Sequence, residues 1–153
     1  MDNNAVPFPQ ADDFEKVVKI INIESEERLG SNDYVGMYLD NITSRQVSYY
    51  VNAAIYLGLL TKDKKFTELG RAIREKNELL QKAELMHVLL ADDVIGRVYV
   101  LEKILPGKID RQDVEDLIRE KNPNYCDAIY GRRAQTVLSW TAWINKNCKD
   151  DDC

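Results

Sequence analysis

Apolar residues recur at helical spacing between residues 44 and 57. They follow the series i, i+3, i+4, i+7 and i+8, which places them in one stripe along one side of a helix: Val47, Tyr50, Val51, Ala54 and Ile55. Thr43 or Ser44 carries the hydroxyl that caps a helix start, and Gly58 suits a helix end. We therefore predict a helix over residues 44–57 and treat it as the central element of the chain.

The flanking pattern predicts shorter elements. Residues 31–39 have helical spacing, and residues 40–43 are too short and polar for anything but a turn. After Gly58, residues 59–61 and 66–67 flank a basic turn at 62–65, which predicts a strand–turn–strand hairpin. Helix, turn, helix and hairpin in this order are typical of a winged helix-turn-helix, with the hairpin as the wing.

The remaining helical patterns predict a second unit. They cover residues 78–91, 94–105, 111–121 and 132–145, and Pro or Gly turns separate the last three. A weak repeat at an offset of 87 residues aligns helix 44–57 with the last of these helices. We predict a mainly α fold with a small β-hairpin and two winged-helix-like helix-turn-helix units. The predicted division is a flexible arm at 1–10, units at 11–77 and 78–146, and a flexible tail at 147–153.

Composition favours a cytoplasmic protein without catalysis. The chain has 153 residues, of which 31% are charged, and no apolar run approaches membrane-spanning length. The first residues lack the pattern of a secretory signal, and the three cysteines are odd in number and lack metal-ligand spacing. A single histidine, His87, argues against a zinc site or a histidine-based triad. We expect no metal, no cofactor and no catalytic centre.

Charge is unevenly distributed along the chain. The net charge is −5, yet residues 43–76 carry seven Lys or Arg against three acids, a net +4. Residues 131–147 carry three bases and no acid, a net +3, while the other segments are acidic. Local positive charge steers anionic partners more than the total does. This asymmetry is compatible with nucleic-acid binding at two places.

The polar side of helix 44–57 is the first candidate DNA-binding surface. Arginine can bond guanine in bidentate fashion, asparagine or glutamine can bond adenine, and hydroxyls can reach phosphates. The predicted groove residues are Arg45, Gln46, Ser48, Tyr49 and Asn52, and the predicted backbone contacts from the wing are Lys62, Lys64 and Lys65. The alternatives are a solvated helix face and a turn kept soluble by charge.

The second candidate surface is the start of helix 132–145. Its predicted DNA contacts are Arg132, Arg133, Gln135 and Thr136. Free amides at a helix N-terminus favour phosphate binding, and the alternative is two solvent-exposed arginines. Trp140 and Trp143 fit a core or a subunit interface better than a base-stacking platform.

Two stretches resemble known families. The sequence YLGLLTKDKKFTELGRAI resembles the helix end, wing and T-x-x-G of winged helix-turn-helix domains. The sequences ELMHVLLADDVIGRVYVLEKI and GRRAQTVLSWTAWI are similar to a winged-helix module attached to type II restriction endonucleases and related phage-defence proteins. The resemblance implies a tandem DNA-reading region that acts on double-stranded DNA, with a nuclease as fusion or partner. The chain departs from that family after Ile144, because too few residues follow for a second wing.

Together these patterns predict a non-catalytic module that binds double-stranded DNA. It could be the recognition part of a restriction or defence system, and it could act as a homodimer. The alternative is a protein–protein adaptor or dimerisation module, for which Tyr49, Tyr56, Trp140 and Trp143 are the candidate interface residues.

Overall fold

The computed structural model describes residues 9–148, and every regular element in that range is a helix. Eight α-helices and one 3-10 helix at Glu26–Gly30 follow in chain order. The α-helices are α1 (Phe14–Ile21), α2 (Asn32–Tyr38), α3 (Ser44–Tyr56), α4 (Glu68–Arg74), α5 (Glu78–Leu90), α6 (Asp93–Ile104), α7 (Arg111–Lys121) and α8 (Asp127–Asn147). None of these helices is both long enough and apolar enough to cross a membrane.

The predicted β-hairpin is wrong. Leu60 and Phe66 form one isolated antiparallel bridge, and residues 9–148 contain no strand. The returning arm ends at once, because the Thr67 side chain accepts a hydrogen bond from the Gly70 amide and caps α4. Two arms that are one residue pair long cannot build a ladder. The wing and the winged-helix fold class are therefore corrected, whereas the mainly α prediction is confirmed.

The chain divides into two compact units. The first ends at Gln81 and the second begins at Lys82. The predicted flexible arm at 1–10 and tail at 147–153 lie mostly outside the described residues. Among the described residues of these two segments, Pro9 is buried and Asn147 is the last residue of α8.

In the first unit, α3 packs against α1 and α2 through its apolar stripe. The buried residues of α3 are Val47, Tyr50, Val51, Ala53 and Ala54. Tyr50 also makes a polar contact, because its hydroxyl accepts a hydrogen bond from the amide of Asp13 at 3.0 Å. Asp13 is the N-cap of α1, so the start of α1 is tied to the middle of α3. These contacts direct the polar side of α3 away from the core.

The turn between α2 and α3 is tight. Asp40 and Asn41 are both in the left-handed region, with φ of 69° and 63°, where short polar side chains are tolerated. The amide of Ile42 donates to the carbonyl of Gly36 at 3.0 Å. A Cβ at Gly36 would lie 2.7 Å from the carbonyl oxygen of Ile42, so only glycine allows this approach. The angle between α2 and α3 depends on this contact.

In the second unit, α8 packs against α6 and α7. It begins at Asp127, five residues before the predicted start at 132, and Gly131 lies inside it. Glycine within a helix costs about 1 kcal/mol relative to alanine. Burial of Tyr130, which is 1% exposed, offsets that cost and extends the helix towards its N-terminus. Trp140 and Trp143 are buried, which agrees with the core and not the subunit interface of the two positions that the sequence predicted for them.

Candidate functional site

One side of α3 is polar, exposed and free of acids. Arg45, Ser48, Tyr49 and Asn52 follow the spacing i, i+3, i+4 and i+7, so they share one helix face. Three of them are exposed and Tyr49 is half-buried. Among the eight α-helices in the described part of the chain, α3 alone contains no Asp or Glu. We call these four residues the α3 face.

Tyr49 orients Arg45 on the α3 face. The Nε of Arg45 donates to the Tyr49 hydroxyl at 2.9 Å, and the guanidinium carbon lies 5.9 Å from the ring centroid. Within residues 9–148, this bond occupies Nε and leaves the terminal nitrogens Nη1 and Nη2 without a partner. Those two nitrogens form the fork that bonds a guanine edge or a phosphate.

The other predicted residues of α3 differ in availability. Gln46 belongs to a capping box, because its Oε1 accepts from the amide of Thr43 at 3.1 Å. Its carbonyl is therefore engaged at the helix start, although the side chain is exposed. The Ser48 hydroxyl donates to the carbonyl of Ser44 at 3.4 Å, and its lone pairs remain free to accept. Asn52 is exposed.

Three lysines follow α3 on a short loop. The amide of Thr61 donates to the carbonyl of Lys65 at 2.7 Å and closes the loop. Lys62 and Lys65 are exposed, while Lys64 is half-buried and adopts a left-handed φ of 63°. We call residues 61–65 the lysine loop. It presents positive charge directly after α3 without the strands of a wing.

The four residues predicted at the start of α8 do not form one exposed surface. Arg132 is exposed, whereas Arg133 is 7% exposed and Thr136 is fully buried. Gln135 accepts from Arg111 Nη2 and donates to Ser139 at 3.2 Å. Arg133 and Thr136 are buried because α8 contacts both α6 and α7 and therefore packs against the core on two sides. Thr136 is therefore withdrawn as a DNA contact.

An arginine–tyrosine cluster lies near the start of α8 and was missed by sequence analysis. The Arg133 guanidinium carbon lies 4.1 Å from the Tyr125 ring centroid, and that of Arg119 lies 4.3 Å from the Tyr130 centroid. The two tyrosine rings are 5.6 Å apart. Their spacing around a loop and a helix start gives no periodic signal, so only the folded chain brings them together.

The second unit also carries an apolar groove of about 580 Å³. Its lining includes Leu90, Gly96, Val100 and Leu117, with Asp93 among its polar members. Val100 is 52% exposed. Exposed large apolar side chains that cluster at a groove mark a surface suited to a protein partner.

Burial raises the pKa of two tyrosines in the first unit. Desolvation raises the pKa of Tyr50, opposed in part by the hydrogen bond from the Asp13 amide. Desolvation likewise raises the pKa of Tyr38, whose hydroxyl donates to the carbonyl of Lys19 at 2.8 Å. Both hydroxyls therefore stay protonated to higher pH than in an unfolded chain.

Within residues 9–148, no group of three or more His, Cys, Asp or Glu side chains is placed to hold a metal ion. Cys126 is exposed with a free thiol.

Comparison with known proteins gives a family without an assigned activity. No curated protein matches the chain significantly, and no solved structure does. A family model described as a domain of unknown function, DUF7226, matches residues 16–149. That match spans both compact units and most of the chain, so the protein belongs to the DUF7226 family.

Proposed function

We propose that this protein is a non-catalytic module that binds double-stranded DNA, with α3 as the helix that enters the major groove. The observation that carries the proposal is the α3 face, which is exposed and polar and lies on the one described α-helix without an acid. The phosphates of a duplex repel carboxylates, and the side chains of the α3 face can donate to acceptors on the base edges.

The geometry of Arg45 supports direct base contact. Its Nε is bonded to Tyr49, so the guanidinium is oriented before any partner arrives. Pre-organisation lowers the entropy lost on binding, and the two terminal nitrogens match the acceptors of guanine. Asn52 lies two turns further along the same face and can bond adenine.

The lysine loop supplies contacts to the phosphate backbone in this proposal. Such contacts position a protein on the duplex without reading its sequence. No wing is required, because the exposed ammonium groups of Lys62 and Lys65 need only reach the phosphates.

A matched pair of charge reversals tests the proposal. Arg45→Glu alters the α3 face, while Lys108→Glu makes the same charge change at an exposed residue of the second unit. Fluorescence anisotropy with a labelled duplex should show a loss of about tenfold or more in affinity for Arg45→Glu. Lys108→Glu should bind nearly as the native chain does. Equal losses for both variants would show that net charge alone controls binding, and would reject α3 as the reading helix.

The groove of the second unit favours one other function, a dimerisation module. Val100 is 52% exposed and Ile104, one turn further along α6, is 66% exposed. A second copy of the chain could cover these side chains and form a homodimer. Sedimentation equilibrium measures the oligomeric state of the native chain and of the Ile104→Glu variant. A dimer that the substitution disrupts would support the alternative, and a monomer at every concentration would reject it.

A further inference from the structure

Arg133 is a buried cation with unsatisfied nitrogens. The residue is 7% exposed, and its Nε and Nη1 are shielded from solvent without a hydrogen-bond partner. The remaining nitrogen, Nη2, is therefore the one that can meet solvent or a ligand. Its guanidinium lies over the Tyr125 ring, and the described part of the chain places no carboxylate in an ion pair with it.

Burial of an arginine in this state is costly. A charge removed from water needs a counter-charge or a full set of hydrogen bonds. The attraction between the guanidinium and the face of Tyr125 offsets only part of that cost. An aromatic ring cannot accept hydrogen bonds from all the N–H groups of an arginine. An anion bound at Nη2 would supply the counter-charge that the protein lacks.

The N-terminus of α8 provides further hydrogen-bond donors. α8 has 21 residues, and its N-cap, Cys126, makes no side-chain capping bond. In residues 9–148, the amides of Asp127 and Ala128 have no acceptor. Helical side chains lean towards the N-terminus, and Arg133 reaches the ring of Tyr125, which directly precedes the N-cap. The guanidinium therefore lies towards the end of α8 that carries the free amides.

One carboxylate competes with an arriving anion. Asp127 lies in the first turn of α8, and its Oδ1 is 3.5 Å from Arg119 Nη2. Its side chain is 99% exposed, so it can rotate into solvent at little cost. Arg119 also pairs with Asp116 at 3.3 Å, which keeps it beside Tyr130.

We propose that the N-terminus of α8 is an oxyanion site that takes a phosphate group, bound by Arg133 and by the amides of Asp127 and Ala128. Helix N-termini bind phosphate through free N–H groups and the helix dipole, and a guanidinium adds a charge-assisted bond. This site lies in the second unit and is separate from the α3 face, so it does not depend on the function proposed for α3.

Titration of the full-length ¹⁵N-labelled chain with inorganic phosphate tests the site. Sodium chloride at equal ionic strength is the control for screening. The amide resonances of Asp127 and Ala128 should shift in a saturable manner with phosphate and not with chloride. Shifts that are linear, scattered over the surface or equal with chloride would overturn the proposal.

Variants of α8 identify the ligands. Arg133→Met keeps the apolar stem and removes the charge, so the saturable shifts should be lost. Lys146→Met is the matched control, because it removes the same charge from an exposed residue near the other end of α8 and should bind phosphate as the native chain does. Loss of binding in both variants, or in neither, would reject Arg133 as the receptor.

A second pair of variants remains informative if Arg133→Met does not fold. Asp127→Ala removes the competing carboxylate and keeps the amide, so phosphate should bind at least as tightly as to the native chain. Asp127→Pro removes the carboxylate and the amide together. Proline is tolerated at the first position of a helix, and Cys126 before it is extended with φ −80° and ψ 159°. Asp127→Pro should bind several-fold more weakly than Asp127→Ala, and equal affinities would contradict the amide contact.

The source of the phosphate is decided with duplex DNA in the same titration. Shifts of Asp127 and Ala128 with duplex would identify the DNA backbone as the ligand. Shifts with inorganic phosphate alone would identify a small free phosphate. Resonances of the α3 face report separately on the function proposed above, so the two proposals can succeed or fail independently.

Discussion

The hydroxyl of Tyr49 accepts a hydrogen bond from Arg45 Nε at 2.9 Å, one helical turn along α3. This bond restricts the rotamers of a long side chain while its terminal nitrogens remain available. Tyr49 is thus a positioning residue for Arg45, in addition to the direct contacts predicted from sequence.

Tyr49→Phe removes this acceptor and keeps the ring. We expect the affinity for duplex DNA to fall roughly fivefold, because Arg45 must then lose more rotamer entropy on binding, a cost of about 1 kcal/mol. Fluorescence anisotropy measures the change. Tyr99→Phe, the same chemical change in the second unit, is the control and should leave affinity unaltered. Unchanged affinity in Tyr49→Phe would show that the hydrogen bond does not position Arg45.

Substitution of the lysine loop should weaken binding on every sequence. Each phosphate contact contributes about 0.9 to the slope of log affinity against log salt concentration. We therefore expect the double substitution Lys62→Gln, Lys65→Gln to lower the magnitude of that slope by about 2. Affinity is measured on two unrelated duplexes. A loss confined to one duplex would contradict the assignment of these lysines to the backbone.

Gly36→Ala should destabilise the first unit. Its Cβ would lie 2.7 Å from the Ile42 carbonyl oxygen, so α2 and the turn must move apart at a cost of roughly 1–3 kcal/mol. Gly30→Ala is the control, because nothing lies within 4 Å of the added Cβ. Urea unfolding of both variants is followed by circular dichroism. Tryptophan fluorescence is unsuitable, because both tryptophans lie in the second unit. Equal stability of the two variants would reject the close approach.

High pH should destabilise the first unit through Tyr50. Burial raises the pKa of Tyr50 above that of an unfolded tyrosine, which is about 10. The folded state therefore favours the protonated hydroxyl. This stabilisation is complete below the unfolded pKa and is lost as the pH rises through the folded pKa.

Urea unfolding between pH 8 and pH 11 checks this effect, over a range set by the unfolded pKa of about 10. Tyr50→Phe should reduce the loss of stability at high pH, although Tyr38 retains a part because burial raises its pKa as well. The substitution also removes the acceptor of the Asp13 amide, so a lower stability at every pH is expected. The same steepness in both proteins would contradict the role of Tyr50.

Sequence predicted α3 well because its signals are local. Thr43 caps the helix, and the apolar stripe that includes Val47 and Val51 faces the core as predicted. The hairpin was wrong because basic turn residues between apolar pairs do not reveal how long the arms are. Thr67 caps α4 instead of continuing a strand. This outcome depends on the packing of Gly70 against Leu59, because a Cβ at Gly70 would come too close to the Leu59 carbonyl.

The start of α8 was less predictable because tertiary contacts decide it. Gly131 indicated a boundary, yet burial of Tyr130 continues the helix past it. The charge of Arg133 predicted a position on the surface. The residue is buried instead, because α8 contacts two neighbouring helices. The link to restriction or phage defence and the cytoplasmic location stay predictions.

Anisotropy of a labelled duplex of random sequence, measured across a salt series with the native chain, tests the central claim most directly. We predict binding at low salt that weakens steeply as salt rises, with a slope that counts the phosphates neutralised by the α3 face and the lysine loop. Absence of binding at low salt would contradict DNA binding by this protein.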